Sequence, residues 1–494
     1  FVNMKVNFMV TITDKEYTDR LSSLNEKERL ILSYCAVNVF KKNAMNNLSF
    51  EPDCDAWTDT KALTDREFLT PEVRKRLTEL EYLPLSQIIE RIYAVTNNKT
   101  NRYVFFSLEI TDNDFTFDEE KEKSLIWEDF ECLSILKNLK SIDLSGLNIF
   151  SFTGLANLCN LEYIKFNQNE TIDFEELNYL PNLRELCFDY WNYPQATMVG
   201  IGKFKLWRQI EKLTLIGIHT LFDLHFLYQA RRLKELQLVE CEFNNIDTLR
   251  YLSNLKLLNL QTVNLQNGLS CDELRIDSLE CLLLEEYVWR DYLLKDCDLS
   301  RCFPNLKELH ISLINAEDDE QTGIEQLNKT LLSQISKSHS LQVLSLQNFT
   351  SFNFYYLSEL ISLERLTLEK CVVNDFDGIE YLRNLQNLIL DKIQFEQHTQ
   401  PELLLPLLYL EKLSDITITD IPLNEIEVLK HLDSLKFLTV RNDIDPYFFS
   451  KFKNLDYCMY HENGNAVILD KTQFPCHGLL KTATIPGVAM NRRN

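Results

Sequence analysis

The chain has 494 residues, 45% of them hydrophobic, and carries a formal net charge of −23 with a pI near 4.9. Such acidity argues against a nucleic-acid backbone or an anionic membrane surface as partner, since both need clustered Lys and Arg. A mere 11 glycines argues against propellers and sandwiches, which need many tight turns.

No stretch reaches the roughly 18 apolar residues of a membrane span. The start, from Phe1 to Asp14, holds no apolar run of signal-peptide length. Thirteen cysteines are scattered without a disulfide-rich rhythm, and several (Cys187, Cys241, Cys281, Cys371) fall inside the repeats described below. Together these features predict a reduced, cytoplasmic protein. A secreted or surface protein that has lost its signal peptide is the alternative.

Residues 1–103 carry helical signals and no repeat. Leu30, Tyr34 and Val37 recur at helical spacing. Thr70-Pro71 reads as an N-cap with proline at the first helical position, opening a helix through Leu80. Ser86 caps a short helix bearing Ile88, Ile89, Ile92 and Val95. The region is expected to be a helical cap over the first repeat. A second reading takes Leu83–Tyr93 (LPLSQIIERIY), which resembles the opening of an F-box, as part of a docking module. The polar AVTNNKTNR that follows lacks the later apolar positions of that module. Phe105, Leu108, Ile110 and Asn113 fit an entry strand.

From Leu139 a fixed period takes over. Leu139, Ile142 and Leu144 recur 22 residues on as Leu161, Ile164 and Phe166, and again as Leu183, Leu186 and Phe188. Strand starts then follow at Ile210, Leu233, Leu255, Leu279, Leu306, Leu341, Leu363, Leu385, Leu413, Leu435 and Leu455, about fourteen repeats in all. Each has apolar residues at +3 and +5, with Cys458 and Tyr460 the weakest pair. Between strands, Phe243, Ile246, Leu249, Leu252 and Leu255 recur every third residue, the period of a 3₁₀ turn or one-sided coil.

With these residues in hand, the chain resembles short leucine-rich repeats of the SDS22-like class, which includes the bacterial internalins. The resemblance implies an α/β fold, a solenoid with a curved parallel sheet and a convex side mostly of 3₁₀ turn and coil. The expected domains are an N-terminal helical cap or docking region (1–103), the solenoid (104–463) and a C-terminal cap and tail (464–494). Three repeats break rhythm. Ile324, Leu327, Leu331 and Ile335 predict a true helix; Pro401 and Pro406 split a Leu-rich run; Tyr190–Gly202 reads as a protruding loop.

No active site emerges. Gly200-Ile201-Gly202 lacks the third glycine and the strand-then-helix context of a phosphate loop. Cys297 and Cys302 have no second ligand pair, and adjacency in Cys476-His477 is no sign of a catalytic dyad. The expectation is therefore no enzyme, no cofactor and no metal.

What the repeat supplies is a surface, because alternate strand residues point outward. Positions +2, +4 and +6 place Tyr163, Lys165, Glu185, Asp189, Lys212, Glu235, Glu285, Glu308, His310, Arg365, Glu369, Asp391, Asp415, Arg441 and His461 on the concave face. Ile216, Val239, Leu257 and Leu283 are expected to form one apolar strip among them. The implied function is a non-enzymatic scaffold, most simply a monomer, binding a protein partner with an apolar anchor and nearby basic residues. A ubiquitin-ligase substrate adaptor and an internalin-like adhesin or effector are the alternatives.

Overall fold

The computed structural model describes residues 107–109, 140–143 and most of 152–474, leaving out chiefly 191–196, 220–222, 266–273, 286–297, 314–328 and 396–402. The helices expected within 1–103, the tail beyond 474, and Cys297, Ile324, Leu327 and Pro401 lie outside the described residues. The chain divides into two compact units, residues 1–269 and 270–494.

In the first unit a parallel sheet runs through β1 (Ser107–Glu109), β2 (Ser141–Asp143), β3 (Tyr163–Asn167), β4 (Glu185–Asp189), β5 (Lys212–Ile216), β6 (Glu235–Val239) and β7 (Leu257–Gln261). In the second, a parallel sheet contains β8 (Cys281–Glu285), β9 (Glu308–Ser312), β10 (Val343–Gln347), β11 (Arg365–Glu369), β12 (Asn387–Asp391), β13 (Asp415–Ile418), β14 (Phe437–Asp443) and β15 (Tyr457–Glu462). Antiparallel β16 (Asn465–Asp470) adds to β15. Every strand from β2 to β15 begins two residues after a leucine or isoleucine of the periodic pattern.

The reason lies in how one repeat turns. Its first leucine closes an i→i−3 turn, as where Leu161 N–H donates to Leu158 O at 2.9 Å and Leu255 N–H to Leu252 O at 3.0 Å. Extended backbone follows, and the +3 and +5 side chains enter the core. Leu258, Leu260, Leu366 and Leu368 are all buried to within 1%, and in register Leu236 meets Leu258 and Leu344 meets Leu366. Cys458 and Tyr460 occupy the same rows and are buried too.

At +7 the chain leaves the strand through left-handed backbone. Gly217, Glu240, Thr262, Asn348, Lys370, Lys392 and Asp420 all have φ between 49° and 67°. The next residue turns inward. Cys241 and Cys371 fill that place, their thiols donating to Leu215 O and Leu346 O at 3.4 Å. Burial pushes both thiols up to about 12, so they remain protonated. The return is mostly 3₁₀, as at His225–Gln229, Asp247–Tyr251, Phe354–Leu357 and Leu405–Tyr409. The exception expected before Leu341 is helical over 329–335.

Successive repeats are also stapled by a carboxamide. Asn182, Asn254, Asn305 and Asn384, each just before a repeat's first leucine, donate to Cys159 O, Arg231 O, Asp277 O and Ile361 O at 2.6, 2.7, 2.8 and 2.7 Å. The expected protruding loop at Tyr190–Gly202 is corrected at its ends. Tyr190 is buried, and Thr197–Val199 is a strand paired with Thr171–Asp173. An aromatic tyrosine body gains more from the core than from a loop, and the pairing satisfies the backbone.

Candidate functional site

The side chains that the core does not use stand on the open face of each sheet, in rows set by the strand register. In the first unit the +2 row reads Tyr163, Glu185, Lys212, Glu235, Leu257, and the +6 row includes Asp189, Ile216, Val239 and Gln261. Opposite charges on neighbouring strands meet. Lys165 Nζ lies 3.2 Å from Asp189 and Lys212 Nζ 2.9 Å from Glu235. The hydrogen bond that Lys212 donates to Glu235 is the main reason its ammonium is held above its ordinary range. Partial burial outweighs Lys212 at Glu185 and raises its carboxyl above 4.5.

The single apolar strip is corrected by this register. Ile216 and Val239 are cross-strand neighbours, but Leu257 pairs with Glu235 at the other end of the strand. Four residues separate the two rows, about 13 Å at strand rise. Pooling +2, +4 and +6 as one face hid that distance. Leu283 belongs to the second unit, beside His310.

In the second unit the +2 row reads Cys281, Glu308, Val343, Arg365, Asn387, Asp415, Phe437, Tyr457, with Asp470 of β16 opposite Tyr457. Phe437 and Tyr457, 44% and 49% exposed, are stacked with ring centroids 5.7 Å apart and planes 1° from parallel. Register thus brackets an exposed aromatic pair between Asp415 and Asp470. Burial raises the Asp415 carboxyl above 3.8, opposed by a hydrogen bond from Asn387 and the charge of Arg365. The +6 row runs Glu285, Ser312, Gln347, Glu369, Asp391. There Ser312 Oγ donates to Gln347 at 2.8 Å and Gln347 Nε2 to Glu369 at 3.2 Å. Arg441 reaches Asp391 only at 3.8 Å.

Sequence reasoning missed two groupings. Phe437 and Tyr457 were legible, both sitting at +2 of consecutive repeats. The second is Cys281, Glu308 and His310, whose ligand-type atoms all lie within 4.8 Å of one another. Cys281 and Glu308 are again both at +2, with His310 at +4. Burial, with the Glu308 carboxylate next, pushes the Cys281 thiol up to about 12. Burial also holds the His310 imidazole below 6.5, with Glu308 pulling the other way. Of the C-x4-C pair, Cys302 is buried in the core.

The fold and its regular open face define the class: the architecture is that of a short-repeat leucine-rich repeat protein. No family model and no curated protein matches the chain. Solved structures do. An internalin (inlF) of Listeria monocytogenes is similar at 17% identity and a TM-score of 0.39, over 68% of this chain and 95% of that one. A leucine-rich repeat protein of Leptospira interrogans is similar at 18% identity and a TM-score of 0.42, over 63% of this chain and 74% of that one. TLR13, from a complex with ssRNA13, is similar at 20% identity and a TM-score of 0.44, over 65% of this chain and 46% of that one.

Proposed function

We propose that the chain is a non-enzymatic scaffold that binds a protein partner on the open, concave-side face of its repeat sheet. The observation that carries this reading is the stacked Phe437–Tyr457 pair, left exposed on that face and flanked in register by Asp415 and Asp470. Large aromatic side chains that cover no core and sit within an acidic frame suit a partner with an apolar anchor and neighbouring Lys or Arg. Ile216 and Val239 are a smaller contact of the same kind. The other candidate contacts lie on each unit's own open face: Tyr163, Lys165, Asp189 and Leu257 on the first, Leu283, Glu285, Arg365, Glu369, Asp391 and Arg441 on the second.

The reading extends to a reducing, cytoplasmic setting. Its support is that Cys159, Cys241, Cys281, Cys371 and Cys458 are thiols outside any disulfide. None of the helices among the described residues is long and apolar enough to cross a membrane. The test is photo-crosslinking from the full chain, with a photoreactive phenylalanine at Tyr457 or, on the 3₁₀ side, at the 71% exposed Tyr409. A partner adduct from Tyr457 and none from Tyr409 is expected. Adducts from Tyr409 alone would place the binding surface on the other side.

A further inference from the structure

We propose that Cys281, Glu308 and His310 form a Zn²⁺ site on the open face of the second unit, with a water as fourth ligand. The placement comes from the strand register. β8 and β9 put Cys281 directly beside Glu308, and His310 follows two residues along the same face, next to Leu283. Their sulfur, carboxylate oxygen and ring nitrogen all lie within 4.8 Å of one another. In a tetrahedral zinc site, bonds of about 2.0–2.3 Å put neighbouring donors roughly 3.5 Å apart. Rotations of three surface side chains span that difference without moving the strands.

The donor set selects the metal. Thiolate and imidazole favour Zn²⁺ over Mg²⁺ or Ca²⁺, which take oxygen ligands, and three protein donors plus water is the open zinc arrangement. Charge supports the same conclusion. His310 Nε2 lies 4.0 Å from the Glu308 carboxylate, while Lys307 turns to the flanking Glu280 at 2.9 Å. Among the described residues no ammonium or guanidinium pairs with Glu308. On binding, the Cys281 S–H bond breaks, an S–Zn bond forms and the proton leaves to solvent. Thiolate and carboxylate then neutralise the two charges of the metal, and His310 binds as neutral imidazole.

The contrast with Cys187 is informative. It is also half-buried on an open face, but its strand neighbours are Lys165 and Thr214, which offer no ligand set.

Co²⁺, a coloured stand-in for Zn²⁺, tests the proposal on the full-length reduced chain. The expected result is visible tetrahedral absorption with a thiolate-to-cobalt charge-transfer band that saturates at one equivalent and is erased by added Zn²⁺. Cys281→Ser should abolish the charge-transfer band. His310→Ala and Glu308→Gln should each weaken Co²⁺ binding by at least about tenfold, with Cys187→Ser unchanged. The Glu308→Gln substitution keeps shape and size, so it reads the site even where another variant melts early. A charge-transfer band that survives Cys281→Ser, or the lack of any tetrahedral spectrum with the wild-type chain, overturns the assignment.

Discussion

The two units build their cores alike and differ on their open faces. Inside, Leu258 of the first and Leu366 of the second are both fully buried in equivalent rows. Outside, the first unit neutralises itself. Lys165 and Lys212 sit 3.2 and 2.9 Å from acids on the adjacent strands. In the second, Arg441–Asp391 and Lys370–Glu369 are both as wide as 3.8 Å. An aromatic pair lies uncovered there, and a thiol, a carboxylate and an imidazole cluster. The repeat fixes what faces inward and leaves the outward rows free to diverge. Binding chemistry is therefore to be sought where outward groups are not satisfied by their own neighbours.

The largest expected effect tests the shared half of that comparison. Leu258→Ala and Leu366→Ala should each cost roughly 2–5 kcal/mol in urea unfolding, the range for truncating a buried leucine. A loss below half a kilocalorie in either would mean that its row does not face the core. The next effect tests the divergent half. Phe437→Glu with Tyr457→Glu should weaken partner capture by about 2 kcal/mol or more, roughly thirtyfold, as loss of a binding hot spot does. The unfolding midpoint should hold. Ile216→Glu with Val239→Glu should weaken capture less. The reverse order would make the first unit the main contact.

A smaller effect probes the staples that both units use. Asn254→Ala and Asn305→Ala each remove one donor to the preceding repeat and should cost about 1 kcal/mol. Equal losses would show that the repeats are held alike in both units. A staple worth nothing in one unit and the full amount in the other would break the equivalence.

How much of this could be read beforehand follows from what repeats and what does not. The inward rows were legible because Leu, Ile and Phe return at +3 and +5 in every repeat, and a linear core demands the same at each turn. The 3₁₀ return was legible from the period of three after Cys241. Rows on the open face were not, because alternation distinguishes inside from outside but not one end of a strand from the other. Leu257 therefore seemed to join Val239 when it pairs with Glu235. The Cys281–Glu308–His310 cluster needs a register across a long repeat to bring its members together, and composition carries no trace of that. β16 escaped notice because the periodicity stops at its boundary, and an antiparallel strand owes nothing to the repeat.

The smallest effect concerns protons on the self-neutralising face. Glu185 in the first unit has its carboxyl raised above 4.5, chiefly by partial burial, with Lys212 opposing and Glu235, Glu162 and Glu211 adding to the rise. A raised acid binds its proton more tightly folded than unfolded. Its stabilising contribution is thus fully present below 4.5 and is lost as pH climbs through the raised value. Glu185→Gln cannot ionise and avoids that loss. The difference in urea midpoint between variant and wild type should stay constant below 4.5, then move in favour of the variant as pH rises toward neutrality. Glu185 is only half buried, so solvent screening keeps the change small. Asp415→Asn makes the matching measurement in the second unit, where Asn387 and Arg365 oppose the rise. A midpoint difference that does not vary with pH, or that favours wild type at neutrality, would show that Lys212 outweighs burial at Glu185 and that the first face is neutralised more completely than the distances alone indicate.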